Sequence, residues 1–134
     1  MDNDRKKFVF AKLQALIRRR AGGRLMLHSG TIGSSAKGSK PQLHLYGVKE
    51  VQIGRRPAQQ TYVAGTILHK RFAGFYLMPI YSHPKLLVGI SKDLGKMLKG
   101  KSCFNITVLT PAIVKELEKL LNDGIAIYRR EGWI

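Results

Sequence analysis

Gly95, Gly100, Lys101 and Ser102 lie in the stretch GKMLKGKSCFNITV and satisfy G-x-x-x-x-G-K-[ST], the pattern of a phosphate-cradling loop. That chemistry needs a buried strand feeding the glycine turn. It also needs a helix starting at the Lys-Ser pair, so that free backbone N–H groups face the phosphate. The order here is reversed. Ser91 is placed to cap a short helix over 91–98, and Gly100 falls just past its end. Cys103, Asn105 and Thr107 then alternate with Phe104, Ile106 and Val108, which predicts a strand over 103–108. A helix–turn–strand does not present its N–H groups to a nucleoside triphosphate, and no strand-borne Asp for Mg²⁺ is identifiable.

Two further groups of residues carry possible chemistry. Lys99 and Lys101 flank Cys103 and would lower its thiol pKa if it were exposed. But Cys103 opens a strand beside Phe104, the setting of a small buried apolar residue. No His–Asp pair accompanies it at a readable spacing, and no carboxylate pair suits glycoside chemistry, so no catalytic constellation is identified. His28, His44 and His69 each fall on a separate predicted strand. Adjacent and pointing the same way, they could form a three-nitrogen metal site. Histidines scattered like these more often serve structure or solvent, so no metal and no cofactor is expected.

The charge is the strongest global signal. The chain has 134 residues and a formal net charge of +16. Residues 1–72 hold 15 Lys/Arg against 3 acids, whereas residues 73–134 hold 9 against 5, so the excess is concentrated in the first half. Such an imbalance creates a positive potential that suits a polyanion: nucleic acid or an anionic membrane surface. It serves equally as a solubility device. Aromatic residues concentrate nearby: Tyr62, Phe72, Phe75, Tyr76 and Tyr81 surround Lys70 and Arg71. Stacking faces beside cations are what single-stranded nucleic acid requires. Aromatics on a half-covered sheet also fill a core.

Length and composition bound the rest. A chain of 134 residues reads as a single domain over 1–134, and 44% hydrophobic content supports a folded core. A lone cysteine, Cys103, excludes an internal disulfide and fits a reducing compartment. Residues 1–7 are polar and lead into no signal-like apolar run, and no stretch approaches the roughly 20 apolar residues of a membrane span. A cytoplasmic location is expected.

The elements that must position these residues follow from periodicity. Residues 4–20 form an amphipathic helix with Val9, Leu13, Leu16 and Ile17 on one face and Asp4 as N-cap. A first strand is expected over 24–29. Residues 30–41, GTIGSSAKGSKP, have no periodicity and read as an exposed loop. Strands are expected over 42–53, with Gly47 at a bulge or turn, over 62–69, and over 72–80, where Pro79 ends the strand or places it at an edge. The 62–69 and 72–80 strands form a hairpin at the centre of an antiparallel sheet. Residues 81–89 suggest a turn and a short helical piece. Leu109, Thr110, Pro111 and Val114 then supply staple, N-cap, first-turn proline and staple partner for a last helix. Gly124 either ends that helix or lies inside a longer one, and the apolar Trp133-Ile134 end docks onto the core.

Three stretches resemble a known family. GFYLMPIY over 74–81, LKGKSCF over 98–104 and YRREGWI over 128–134 are similar to YdhG-like proteins, small bacterial proteins grouped as domain of unknown function 1801. The similarity spans 62–134. It implies an α+β fold, a twisted antiparallel sheet with an N-terminal and a C-terminal helix, and it makes the G-K-S a family turn. No catalytic residues come with it. Some relatives carry a frataxin-like, iron-chaperone label, which requires clustered carboxylates for a hard cation. This chain has 8 acids, and Glu116, Asp123 and Glu131 are spread along the last helix.

Two function classes result. One is a non-enzymatic binding module for a polyanion such as nucleic acid, using Arg55, Arg56, Lys70, Arg71, Lys99 and Lys101. The other is a carrier of a small ligand or metal, using a pocket near Tyr76, Met78, Tyr81, Cys103 and Trp133.

Overall fold

The computed structural model describes residues 2–30 and 40–134, so most of the loop expected over 30–41 lies outside the described residues. Helix α1 spans Asn3–Arg18 and buries Val9, Phe10, Leu13, Leu16 and Ile17, the expected stripe with one addition. Its N-cap is Asp2 and not Asp4. A cap carboxylate must reach the N–H two or three positions into the helix, and Asp2 accepts from the Arg5 N–H at 2.8 Å. Asp4 sits in the first turn, where its charge suits the helix dipole.

Six strands follow: β1 (Leu25–His28), β2 (Gln42–Val51), β3 (Gln59–Leu68), β4 (Ala73–Leu77), β5 (Leu98–Lys99) and β6 (Cys103–Ile106). They form one antiparallel sheet in the order β1-β2-β3-β4-β6-β5, with the β3–β4 hairpin at its centre. The β2–β3 register shifts twice, on either side of Tyr46, and Gly47 falls in the second shift. The chain is thus an α+β fold, with α4 (Pro111–Glu131) as its C-terminal helix.

The strand expected over 72–80 stops at Leu77. Met78–Ser82 is a short helix, α2, and Pro79 occupies its first turn. Proline has no N–H to donate and a φ already set for a helix, so it starts this element instead of ending the strand. A single 3-10 turn over Pro84–Leu87 and helix α3 (Lys92–Met97) complete the middle of the chain. Ser91 caps α3, accepting from the Leu94 N–H at 3.1 Å. At α4, Thr110 accepts from the Ile113 N–H at 3.2 Å, as the cap chemistry requires. The helix passes through Gly124 and ends at Gly132, whose φ of 79° is left-handed.

Alternation divides the sheet. Leu43, Leu45, Ala64, Phe75, Leu77, Phe104 and Ile106 join α1 and α4 residues in one hydrophobic cluster. Phe75 and Phe104 face each other across β4 and β6 with no exposure. Burying each contributes roughly 1.5–3 kcal/mol. Thr66, the polar residue on this face, donates to the Gly74 carbonyl at 2.8 Å, so its burial costs little. Ile134 is fully buried in the same cluster, so the apolar end docks as expected. The residues between, His28, His44, Tyr46, Tyr62, Tyr76 and Cys103, fall on the opposite face.

Candidate functional site

The face away from the helices carries a histidine–tyrosine network. His44 uses both ring nitrogens, Nδ1 with the Tyr62 hydroxyl at 2.7 Å and Nε2 with Gln42 Oε1 at 2.7 Å. The Gln42 Nε2 donates to the Lys40 carbonyl, which fixes the amide so that Oε1 accepts. His44 Nε2 therefore carries the proton, and Tyr62 donates to Nδ1. Gly65, paired with His44, makes room for this bond. A Cβ there would sit 2.1 Å from His44 Nδ1 and 2.2 Å from the Tyr62 hydroxyl. Burial, reinforced by His28, lowers the His44 pKa, and burial raises that of Tyr62.

His69 forms a second branch. Its Nε2 lies 2.7 Å from the Tyr76 hydroxyl and its Nδ1 2.9 Å from the Lys40 ammonium. Partial burial and then Lys40 lower its pKa, while burial and then Cys103 push Tyr76 up to about 12. The three candidate metal ligands do not converge. His28 faces His44 directly across β1 and β2, but His69 lies four residues beyond Gly65, the β3 partner of His44, and is engaged with Tyr76. Among the described residues no group of three His, Cys, Asp or Glu side chains could hold a metal ion. Cys103 is half-buried and donates to Asn105 Oδ1 at 3.7 Å, and burial pushes its thiol up although Tyr76 acts to lower it. Lys99 and Lys101 would lower the thiol pKa only if it were exposed, and a thiol held protonated by burial is a poor nucleophile.

At one end of the sheet these side chains meet a crevice of about 270 Å³. It lies between the β2–β3 connection, α2 and the end of α4, and Tyr62, Met78, Tyr81, Tyr128 and Trp133 line it. Among the described residues Arg56 is its one charged lining residue. Tyr128 and Trp133 stack edge-on, 5.0 Å between centroids. Thr61 also lines the crevice, and its buried hydroxyl has no hydrogen-bond partner among the described residues. A shallower hollow on the network face, lined by His44, Tyr46, Tyr76 and Ser102, shares Tyr62 and Met78 with the crevice. Tyr81 is 57% exposed, and the Lys101 ammonium lies 5.7 Å from its ring centroid. Of the expected pocket residues, Tyr76, Met78, Tyr81 and Trp133 line these adjoining depressions. Cys103 stands beside Tyr76 without lining either.

The expected anion-binding residues separate into two groups. Arg55 and Arg56 lie in the β2–β3 connection, and Lys99 and Lys101 at the β5–β6 turn, all at the end of the sheet that holds the crevice. Lys70 and Arg71 lie in the β3–β4 turn at the other end. Along β3 they stand about 25 Å from Tyr62 on the crevice wall. There the buried Lys6 ammonium donates to the Lys70 carbonyl at 2.8 Å. None of these six cations forms an ion pair among the described residues. The expected helix–turn–strand gains a strand: α3 ends at Met97, Leu98–Lys99 pairs with β6, and the glycine–lysine turn joins these two strands, with Gly100 at a φ of 70°.

Thr61, Tyr62 and Tyr128 are site residues that the sequence reading did not assign to the pocket. Tyr128 had a signal, since it shares the Leu117–Leu121–Gly124 stripe; Thr61 had none. Comparison of the chain with protein-family models, with curated proteins and with solved structures finds no match.

Proposed function

We propose that this protein is a non-enzymatic binding module for single-stranded nucleic acid. One observation carries the reading: unpaired cations stand on both sides of an exposed aromatic crevice, Arg56 within it and Lys101 over Tyr81. Phosphates would pair with Arg55, Arg56, Lys99 and Lys101, and a base would stack on Tyr81. At about 270 Å³ the crevice falls just below the roughly 300–1,000 Å³ range of ligand pockets, which suits one base at a time. No acid lines it, so a cationic ligand is disfavoured.

The YdhG-like resemblance belongs to the same reading. The three resembling stretches supply Met78 and Tyr81, Lys101 and Ser102, and Tyr128 and Trp133, all of them around this end of the sheet. The reading sets the protein in the cytoplasm, where a single thiol stays reduced and RNA is abundant. Titrating labelled single-stranded oligonucleotides across a salt series tests it, since phosphate contacts make log affinity fall linearly with log salt.

A second reading, carriage of a small neutral ring compound, is favoured by the Thr61 hydroxyl, which has no partner among the described residues. A buried hydroxyl without a partner costs about 1–3 kcal/mol, which a ligand group could recover. A saturable thermal shift insensitive to salt would favour that ligand over nucleic acid.

A further inference from the structure

We infer that the groove between α1 and the start of α4 is a docking site for an acidic, amphipathic helical segment of a partner protein. The groove holds about 510 Å³ and shares no lining residue with the Tyr81 crevice. Its apolar lining comes from Phe8, Ala15 and Leu16 on one side and Leu109, Pro111 and Val114 on the other. Phe8 is 56% exposed, with the Lys12 ammonium 5.4 Å from its ring centroid.

The shape selects a helix. Phe8, Lys12, Ala15 and Arg19 are spaced by four, three and four residues, so they form one stripe along α1. At 1.5 Å per residue it runs about 16 Å, or three helical turns. A helix laid into such a groove presents apolar anchors at i, i+3 or i+4, and i+7. A bilayer surface is flat and would touch Phe8 while leaving the floor open. A phosphate backbone brings no convex apolar group to fill it.

The charge selects the sign. Lys12, Arg19 and Lys115 form the rim. Glu118, the one acid lining the groove, is turned to the Arg20 guanidinium at 3.9 Å. An occupant with Asp and Glu beside its apolar stripe meets three cations. A second copy of this chain is disfavoured, because the exposed side of α1 carries Lys7, Lys12, Arg18 and Arg19, and juxtaposed like charges cost several kcal/mol.

A display library of random 16-residue peptides, panned against the full chain at about 0.5 M salt to screen non-specific attraction, tests the inference. Enriched sequences should combine the helical apolar period with an excess of Asp and Glu. Synthetic copies should bind Phe8→Asp about ten-fold or more weakly. They should also lose affinity for the Lys12→Glu, Lys115→Glu double variant and recover it when their own acids are exchanged for Lys. Both altered lysines are exposed, and circular dichroism should report unchanged folding in every variant. The inference is overturned if enriched peptides lack the apolar period or bind Phe8→Asp equally well. It is also overturned if an oligonucleotide displaces them, or if sedimentation shows self-association that Phe8→Asp abolishes.

Discussion

Lys101 lies over Tyr81, its ammonium 5.7 Å from the ring centroid, and Tyr81 also lines the crevice into which Arg56 projects. One exposed tyrosine therefore joins the β5–β6 turn to the β2–β3 connection. Without it, the cations at this end of the sheet would be two separate patches.

Tyr81→Ala should weaken single-stranded oligonucleotide binding by about 1–3 kcal/mol, the worth of one stacked base, and leave the salt slope unchanged. Tyr81→Phe should bind as the parent does. Fluorescence anisotropy at fixed salt separates the two. Equal binding by all three proteins would remove Tyr81 from the interface.

Gly124→Ala tests how α4 is seated on α2. An added Cβ would lie 2.7 Å from Pro79 Cβ and Cγ. Pro79 is a rigid ring, so the strain is not relieved by a rotamer change. A loss of about 1–3 kcal/mol is expected in urea unfolding, as for other overpacked cores. Pro79→Ala should offset part of it, a coupling that a double-mutant cycle measures. A neutral Gly124→Ala would show that the two elements are not in contact.

The sheet network predicts a pH dependence. Burial holds the His44 and His69 imidazoles below 6.5, so in that window the unfolded chain binds more protons. Stability from the neutral rings is complete above 6.5 and is lost as pH falls through their lowered values. The urea midpoint should drop between about pH 7.5 and 5.5, and His44→Gln should drop less. An identical drop in the variant would assign the titration elsewhere.

Thr61→Val replaces a buried hydroxyl that has no partner among the described residues. Stability should be unchanged or higher by up to about 1 kcal/mol, because no hydrogen bond is lost and an unpaired group is removed. A clear loss in urea unfolding would mean that the hydroxyl is satisfied in solution. If the variant also loses a small ligand that the parent binds, ring-compound carriage gains over nucleic acid.

Much of the fold was legible because its signals are local. The Thr110–Pro111 start of α4 and the Ser91 cap of α3 are short-range chemistry, and both stand where residue type put them. By residue type Pro79 ends a strand or places it at a sheet edge. Proline suits that position and a helix start equally, and here the choice falls to packing against Gly124, 45 residues on. Lys70 and Arg71 group with Arg55 and Arg56 by residue type alone. Successive hairpin connections of an antiparallel sheet lie at opposite ends, so strand order alone separates them. The crevice was only half legible: Met78, Tyr81 and Trp133 are conspicuous types, but the unpaired state of Thr61 depends on what surrounds it.

The most direct test compares two alanine variants by oligonucleotide anisotropy across a salt series. One removes Arg55, Arg56, Lys99 and Lys101, and the other removes Lys70 and Arg71. Four phosphate contacts give the parent a slope of about −3 in log affinity against log salt. The first variant should flatten that slope toward zero, and the second should leave it unchanged. Equal losses from both, or no binding by the parent at low salt, would contradict a nucleic-acid site at the crevice end of the sheet.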